Sequence, residues 1–160
     1  MTEQKTNVMR LLDQKKIAYN AHFYPHGDAA VDGVTVASLI GKAPECVFKT
    51  LVARGASRNI LVFVIPVCAE LDLKRAAKAA GEKSVEMIHV SEINALTGYV
   101  RGGCSPLGMK KQYRTFFDIS CLEQDSMVVS AGKIGSQVEL SPRELIGLTR
   151  GAAAALTKEL

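Results

Sequence analysis

Apolar residues recur along the chain with two different periods, and the change of period marks out its elements. Val8, Leu11 and Leu12 fall at i, i+3 and i+4 behind Thr6, which predicts a capped first helix ending before Ile17. Residues 17–24 alternate loosely and stop at Pro25, as a short strand does on entering a loop, here His26-Gly27-Asp28. Thr35 is placed to cap a short helix over residues 36–40, with Gly41 as its stop. Residues 47–53 and 60–67 are rich in β-branched and aromatic side chains, and the polar segment 54–59 between them predicts an antiparallel hairpin. Asp72 caps residues 73–80 and Gly81 ends them, with Lys74, Arg75 and Lys78 making one face basic. A short strand over 85–90 and a short helix opening at Ser91 bring the chain to Gly98. Residues 115–120 and 126–130 then read as strands, 131–135 as a glycine turn and 138–140 as a further strand. Ser141-Pro142-Arg143-Glu144 opens the last helix, serine as cap and proline at the first position.

Strands therefore dominate the centre, with helices distributed around them. No linker, repeat or low-complexity segment interrupts residues 1–160, which predicts one α+β domain. At 48% hydrophobic and 22% charged residues the composition excludes disorder. A chain of this length buries about 70% of its unfolded surface without disulfides or metal. The polar first seven residues do not resemble a signal peptide and no run of eighteen apolar residues follows, so a cytoplasmic location is expected. Cys46, Cys68, Cys104 and Cys121 show no Cys-x-x-Cys spacing, which predicts reduced thiols and no zinc site. A net charge of +4 permits an RNA partner without requiring one.

One stretch belongs to no regular element. Gly98-Tyr99-Val100-Arg101-Gly102-Gly103-Cys104-Ser105-Pro106-Leu107-Gly108 holds four glycines and a proline, and in a helix interior glycine costs about 1 kcal/mol and proline about 3 kcal/mol. Such a loop brings backbone N–H groups close to a ligand, and Gly102-Gly103 suits donation to a carbonyl or oxyanion. It is neither a P-loop, because Gly-x4-Gly-Lys-Ser/Thr is absent, nor a dinucleotide fingerprint. Lys49 has Val47 and Leu51 on its own face of a strand and Phe48 and Val52 on the other. A lysine in that setting either snorkels at a sheet edge or supplies the charge of a pocket. Cys104 is a small buried residue or a nucleophile, and no histidine adjoins it in sequence. His22 and His26 have the spacing of a helical metal pair, but Pro25 breaks that helix, so no metal is expected. His89 in its apolar strand fits a core histidine, and no Ser-His-Asp pattern offers a hydrolase nucleophile.

Phe48-Lys49-Thr50-Leu51, Leu71-Asp72-Leu73-Lys74, Thr97-Gly98-Tyr99, Gly102-Gly103 with Ser105-Pro106-Leu107-Gly108, Lys110-Lys111, and Val129-Ser130 with Gly132-Lys133 and Gly135 follow one another in a telling order. That order resembles the YbaK/EbsC family of aminoacyl-tRNA deacylases, relatives of the editing domain inserted in bacterial prolyl-tRNA synthetases. The resemblance covers nearly the whole chain and is nearest to free-standing deacylases that clear cysteine from tRNA(Pro). It implies a mixed, β-barrel-like sheet surrounded by helices. It implies Lys49 and Gly102 as catalytic residues on opposite sides of a pocket, with Tyr24, Thr50, Gly103, Ser105 and Pro106 binding substrate. Lys74, Lys78, Lys110, Lys111 and Arg114 become candidates for tRNA phosphate contacts. The implied partners are the 3′ end of an aminoacylated tRNA and prolyl-tRNA synthetase, with no cofactor, metal, DNA or membrane.

Two departures limit the transfer. Val31-Asp32-Gly33-Val34 stands where members carry Asn-Phe-Gly-Asp-Glu with a pocket phenylalanine, and Gln137 stands where some members have an acid. Neither contact carries over. The implied chemistry is substrate-assisted: the thiol of the esterified cysteine attacks its own carbonyl, cyclises and expels the tRNA, which accounts for the missing protein nucleophile. Cysteine would be cleared from Cys-tRNA(Pro), and from Cys-tRNA(Cys) as well. A deacylase for an alanyl or seryl ester, and a noncatalytic tRNA-binding module, stand as the alternatives.

Overall fold

Residues 5–159 are described by a computed structural model of the chain. Thr6 accepts the Met9 N–H and opens helix α1 (Asn7–Gln14), which buries Val8, Met9 and Leu12. Strand β1 (Asn20–Phe23) follows. The next helix, α2 (Gly33–Leu39), is capped by Asp32 and not by Thr35: the Asp32 carboxylate accepts both the N–H and the hydroxyl of Thr35. Packing decides between the two competent caps. A Cβ on Gly33 would lie 2.3 Å from Val67 Cγ1, so only a glycine lets the chain enter the helix at that point.

Strands β2 (Phe48–Gly55) and β3 (Ile60–Pro66) form the expected hairpin. Asp72 accepts from the Lys74 and Arg75 N–H groups at the head of α3 (Leu73–Ala80), and Gly81 ends it with φ +71°. The strand expected over 85–90 shortens to β4 (Val85–Met87), after which a 3₁₀ turn leads into α4 (Ile93–Thr97). Strand β5 (Arg114–Asp118) stops where the Asp118 carboxylate accepts the Ser120 N–H and starts a 3₁₀ helix over Ile119–Glu123. Strand β6 (Met127–Lys133) outlasts its expected end at Ser130 by bulging through Gly132 at φ +95°. Strand β7 (Ser136–Leu140), helix α5 (Pro142–Thr149) capped by Ser141, and strand β8 (Ala152–Ala154) complete the chain. The sequence pattern did not announce β8.

The strands form two sheets, one of order β1-β7-β6 and one of order β4-β2-β3-β5-β8 with two parallel pairs. Among the described residues the barrel-like arrangement therefore takes the form of two sheets joined by one bridge, Val47 to Val128. Between them lies the main core, which includes Val8, Leu12, Phe48, Val64, Phe117, Val129, Val138 and Leu145. The other face of the larger sheet packs Phe63 and Ile65 against Ala76 and Ala77 of α3. A small third cluster, Ala37, Val47, Val67 and Val128, lets α2 cover the seam. Among the described residues no helix is long and apolar enough to cross a membrane.

Candidate active site

Residues directly opposite one another in a sheet share a face. His22 pairs with Gln137, and Gln137 with Ser130, so three strands of the small sheet present one transverse row. The Val47–Val128 bridge is parallel, so two residues further on Lys49 extends that row onto β2. Lys49, Ser130 and Gln137 form the floor of a cleft of about 910 Å³. Its walls come from the segment of residues 28–33 ahead of α2 and from the glycine loop after α4. Tyr24, at the end of β1, closes one corner and is 5% exposed. Among the described residues no carboxylate lies within ion-pairing distance of Lys49.

The glycine loop is built from its own backbone. Gly98 ends α4 in the left-handed region, and the Lys110 N–H returns to the Thr97 carbonyl at 3.0 Å, closing the loop. Gly102 has φ +87°, and the Gly103 N–H donates to the Val100 carbonyl at 2.9 Å, which makes residues 100–103 a tight turn. The Gly103 N–H is thereby committed, while among the described residues the Gly102 N–H has no acceptor. A Cβ on Gly102 would lie 2.7 Å from Ala30 Cβ, so the two walls of the cleft touch there. Ser105, Pro106 and Leu107 are buried, and Ser105 Oγ accepts the Leu107 N–H at 3.3 Å. They anchor the loop to the core and do not line the cleft, and Gly103 is likewise absent from the lining because it packs on the backbone of Lys133 and Ile134. Tyr24, Lys49, Thr50 and Gly102 do meet around it, though the Thr50 hydroxyl oxygen is sealed from the cleft and unpaired among the described residues.

A family model described as the aminoacyl-tRNA editing domain matches residues 29–148, which run from the first wall of this cleft through its floor. The chain belongs to that family. A relative from Enterococcus faecalis, EbsC, described as a candidate Cys-tRNA(Pro)/Cys-tRNA(Cys) deacylase, is 44% identical over 98% of this chain and 95% of its own. The uncharacterised YwhH of Bacillus subtilis is 28% identical over 68% of this chain and 69% of its own. A solved structure described as a candidate trans-editing enzyme for prolyl-tRNA synthetase shares the fold at a TM-score of 0.82 and 20% identity, covering 98% of this chain and 100% of that one.

In this editing domain Cys104 lines the cleft, but burial pushes its thiol up to about 11, a Thr97 hydrogen bond offsetting only part of that. A thiol held protonated is the reverse of an activated cysteine. His22 is turned to Glu139 at 2.7 Å, and His26 lies over Gly135, whose absent Cβ would meet its ring at 2.1 Å. Burial alone would raise the Glu139 carboxyl, but hydrogen bonds from Ser126, His22 and Lys42 outweigh it and hold the group at about 2. Of the basic candidates, Lys74 and Lys78 are exposed on α3 and Lys110 and Lys111 follow the glycine loop, with the Lys110 stem against Gly98. The Arg114 guanidinium is committed to the Ala80 carbonyl at 3.0 Å and stacks over Phe116. None of the five lines the cleft, whereas Arg101, unforeseen, does. Ser130, Gln137, Asp28 and Ala30 also join the lining; only strand register, which the sequence does not print, brings Ser130 and Gln137 beside Lys49.

Proposed function

We propose that this editing domain clears cysteine from Cys-tRNA(Pro), and from Cys-tRNA(Cys), with the thiol of the substrate as nucleophile. The observation that carries the reading is the pairing of Lys49 with the Gly102 turn around a cleft whose one thiol, Cys104, is held protonated. The name of the Enterococcus faecalis relative supports the choice of amino acid. In the reaction the substrate sulfur bonds to the ester carbonyl carbon, the bond from that carbon to the ribose oxygen breaks, and the thiol proton ends on the ribose hydroxyl. A well-oriented intramolecular attacker has an effective molarity on the order of 10⁵ to 10⁸ M, so the protein needs mainly to select the reactive rotamer and meet the oxyanion. Lys49 serves the phosphate of the terminal adenosine or the aminoacyl group, and the Gly102 N–H serves the carbonyl oxygen. Because the Gly103 N–H is used within the turn, one backbone donor does this and not two.

Sulfur chemistry also sorts substrates. A missing methylene discriminates by only about 1–3 kcal/mol, whereas serine brings a poorly acidic hydroxyl where cysteine brings a thiol of pKa about 8.5. Lys74, Lys78, Lys110, Lys111 and Arg101, all exposed, are the basic side chains assigned in this reading to tRNA phosphates, which carry no sequence information. Selection of the tRNA then falls to a partner, prolyl-tRNA synthetase, and the reaction belongs in the cytoplasm with the charged tRNA. Deacylation of Cys-, Ala- and Ser-tRNA(Pro) tests the reading: cysteine is released fastest, S-alkylation of the substrate abolishes release, and Lys49→Ala lowers kcat/KM by about 100-fold or more. Unchanged turnover of the alkylated ester would sink the substrate-assisted route, and Lys49→Ala at wild-type rate would sink the role of Lys49. Salt-sensitive tRNA binding without ester loss would make the domain a binding module.

A further inference from the structure

Gln137 is 5% exposed and lines the cleft. Among the described residues its carboxamide makes no hydrogen bond, although its neighbours on the small sheet, His22, Ser130 and Glu139, are each engaged. His22 bonds Glu139 at 2.7 Å, Glu139 also takes Lys42 at 3.1 Å and the Ser126 hydroxyl, and Ser130 Oγ accepts the Gly132 N–H at 3.1 Å. The carboxamide is not sealed within the protein but opens on the cleft, where no protein group occupies it among the described residues and a ligand on the floor can hydrogen-bond it.

The type of group it takes follows from what else is there. Lys49 Nζ, the Gly102 N–H and the Ser130 and Tyr24 hydroxyls are donors, suited to carbonyl and phosphate oxygens. The Thr50 hydroxyl is sealed off and the Asp32 carboxylate is spent on Thr35, while Asp28 stands on the exposed rim. Gln137 Oε1 is the side-chain carbonyl acceptor of that floor, where the hydroxyls can turn to donate instead, and the strong donor that an aminoacyl ester carries is its α-amino group. Across two strand spacings, roughly 10 Å, Gln137 is also the cleft-lining member of the row furthest from the Lys49 charge that would repel an ammonium.

We infer that Gln137 reads the α-amino group of the aminoacyl moiety and so determines specificity for amino-acid esters over acyl esters in general. The inference rests on the editing reaction proposed above. Being neutral, the carboxamide accepts from amine and ammonium alike and does not force the protonated form.

The test compares kcat/KM for cysteinyl-tRNA(Pro) and 3-mercaptopropionyl-tRNA(Pro), which keeps the thiol and the ester but has no α-amino group. Wild type should prefer the cysteinyl ester about tenfold, the size of one good hydrogen bond, and Gln137→Leu should bring the ratio close to one while still releasing the mercaptopropionyl group. Gln137→Glu, nearly isosteric, should make the ratio rise below pH 7 to 8, where the α-amino group is charged, with no such change for the mercaptopropionyl ester. The same ratio in wild type and Gln137→Leu overturns the assignment. Should Gln137→Leu lose its cooperative unfolding transition, Gln137→Glu decides alone, and a ratio with the wild-type pH dependence overturns it. Failure of the wild type to release either acyl group would overturn the editing reading itself and this role with it.

Discussion

At Gly102 two separate constraints fall on one residue. Its φ of +87° is a conformation that L side chains rarely adopt, and its missing Cβ is what lets the Ala30 side of the cleft close. Gly102→Ala should therefore lower kcat/KM for deacylation at least tenfold and cost about 1–2 kcal/mol in urea unfolding. Adding Ala30→Gly should recover only the part due to the clash, since the backbone strain stays; full recovery would show that φ is not the constraint. Glu139 is a residue of another kind. With its folded carboxyl at about 2, below the ordinary value of 4.5, the stabilisation it gives is fully present above pH 4.5 and is lost as pH falls through 2. Wild type should exceed Glu139→Gln in stability at pH 7, by an amount on the order of 2 kcal/mol, and thermal scans should show the gap closing between pH 4.5 and 2. A gap of constant size would mean that the hydrogen bonds from Ser126, His22 and Lys42 contribute nothing.

Elements whose ends are set by local chemistry were legible in the sequence. The Asp72 and Gly81 punctuation of α3 and the Ser141-Pro142 opening of α5 stand where the pattern put them, because a cap needs only its own first turn. Asp72→Ala should cost about 1 kcal/mol, measured by chemical denaturation, and Asp72→Asn should recover most of it. Where neighbours decide, the pattern fell short. Helix α2 begins at a glycine because Val67 crowds that point, and β6 continues through Gly132 because a bulge keeps it paired to β7. Strand β8 consists of three alanines, residues of low β propensity, and exists through its parallel pairing with Phe116 and Phe117. The site divides in the same way. Lys49 and Gly102 carry a local mark, a lysine among apolar residues and a glycine pair, while Tyr24 is marked only by the family resemblance. Ser130 and Gln137 become neighbours of Lys49 only through a bridge between two sheets, and Ser105 and Pro106, prominent in the glycine loop, turn out to be its anchors.

Across the whole molecule the C-terminal segment acts as a strap. The Leu156 N–H donates to Asp118 Oδ1 at 2.9 Å, the Leu156 carbonyl accepts the Asp72 N–H at 2.8 Å, and the Leu156 side chain is 0% exposed in the core beneath α3. Leu156→Ala should cost about 2–5 kcal/mol in equilibrium unfolding; a loss within 0.5 kcal/mol, as at a surface position, would mean that the segment is held by its backbone alone. The bridge between Val47 and Val128 has a consequence of its own for how the molecule comes into being. Tyr24 and Lys49 leave the ribosome early, but the strands that carry Ser130 and Gln137 are made some eighty residues after Lys49, and β1 has no partner until β7 exists. At about 5–20 residues per second, the N-terminal half waits several seconds with strand edges open and no floor to its cleft. Catalytic competence thus arrives as one of the last events of synthesis, and a nascent chain arrested before β7 holds half of a site that cannot yet touch an aminoacyl ester.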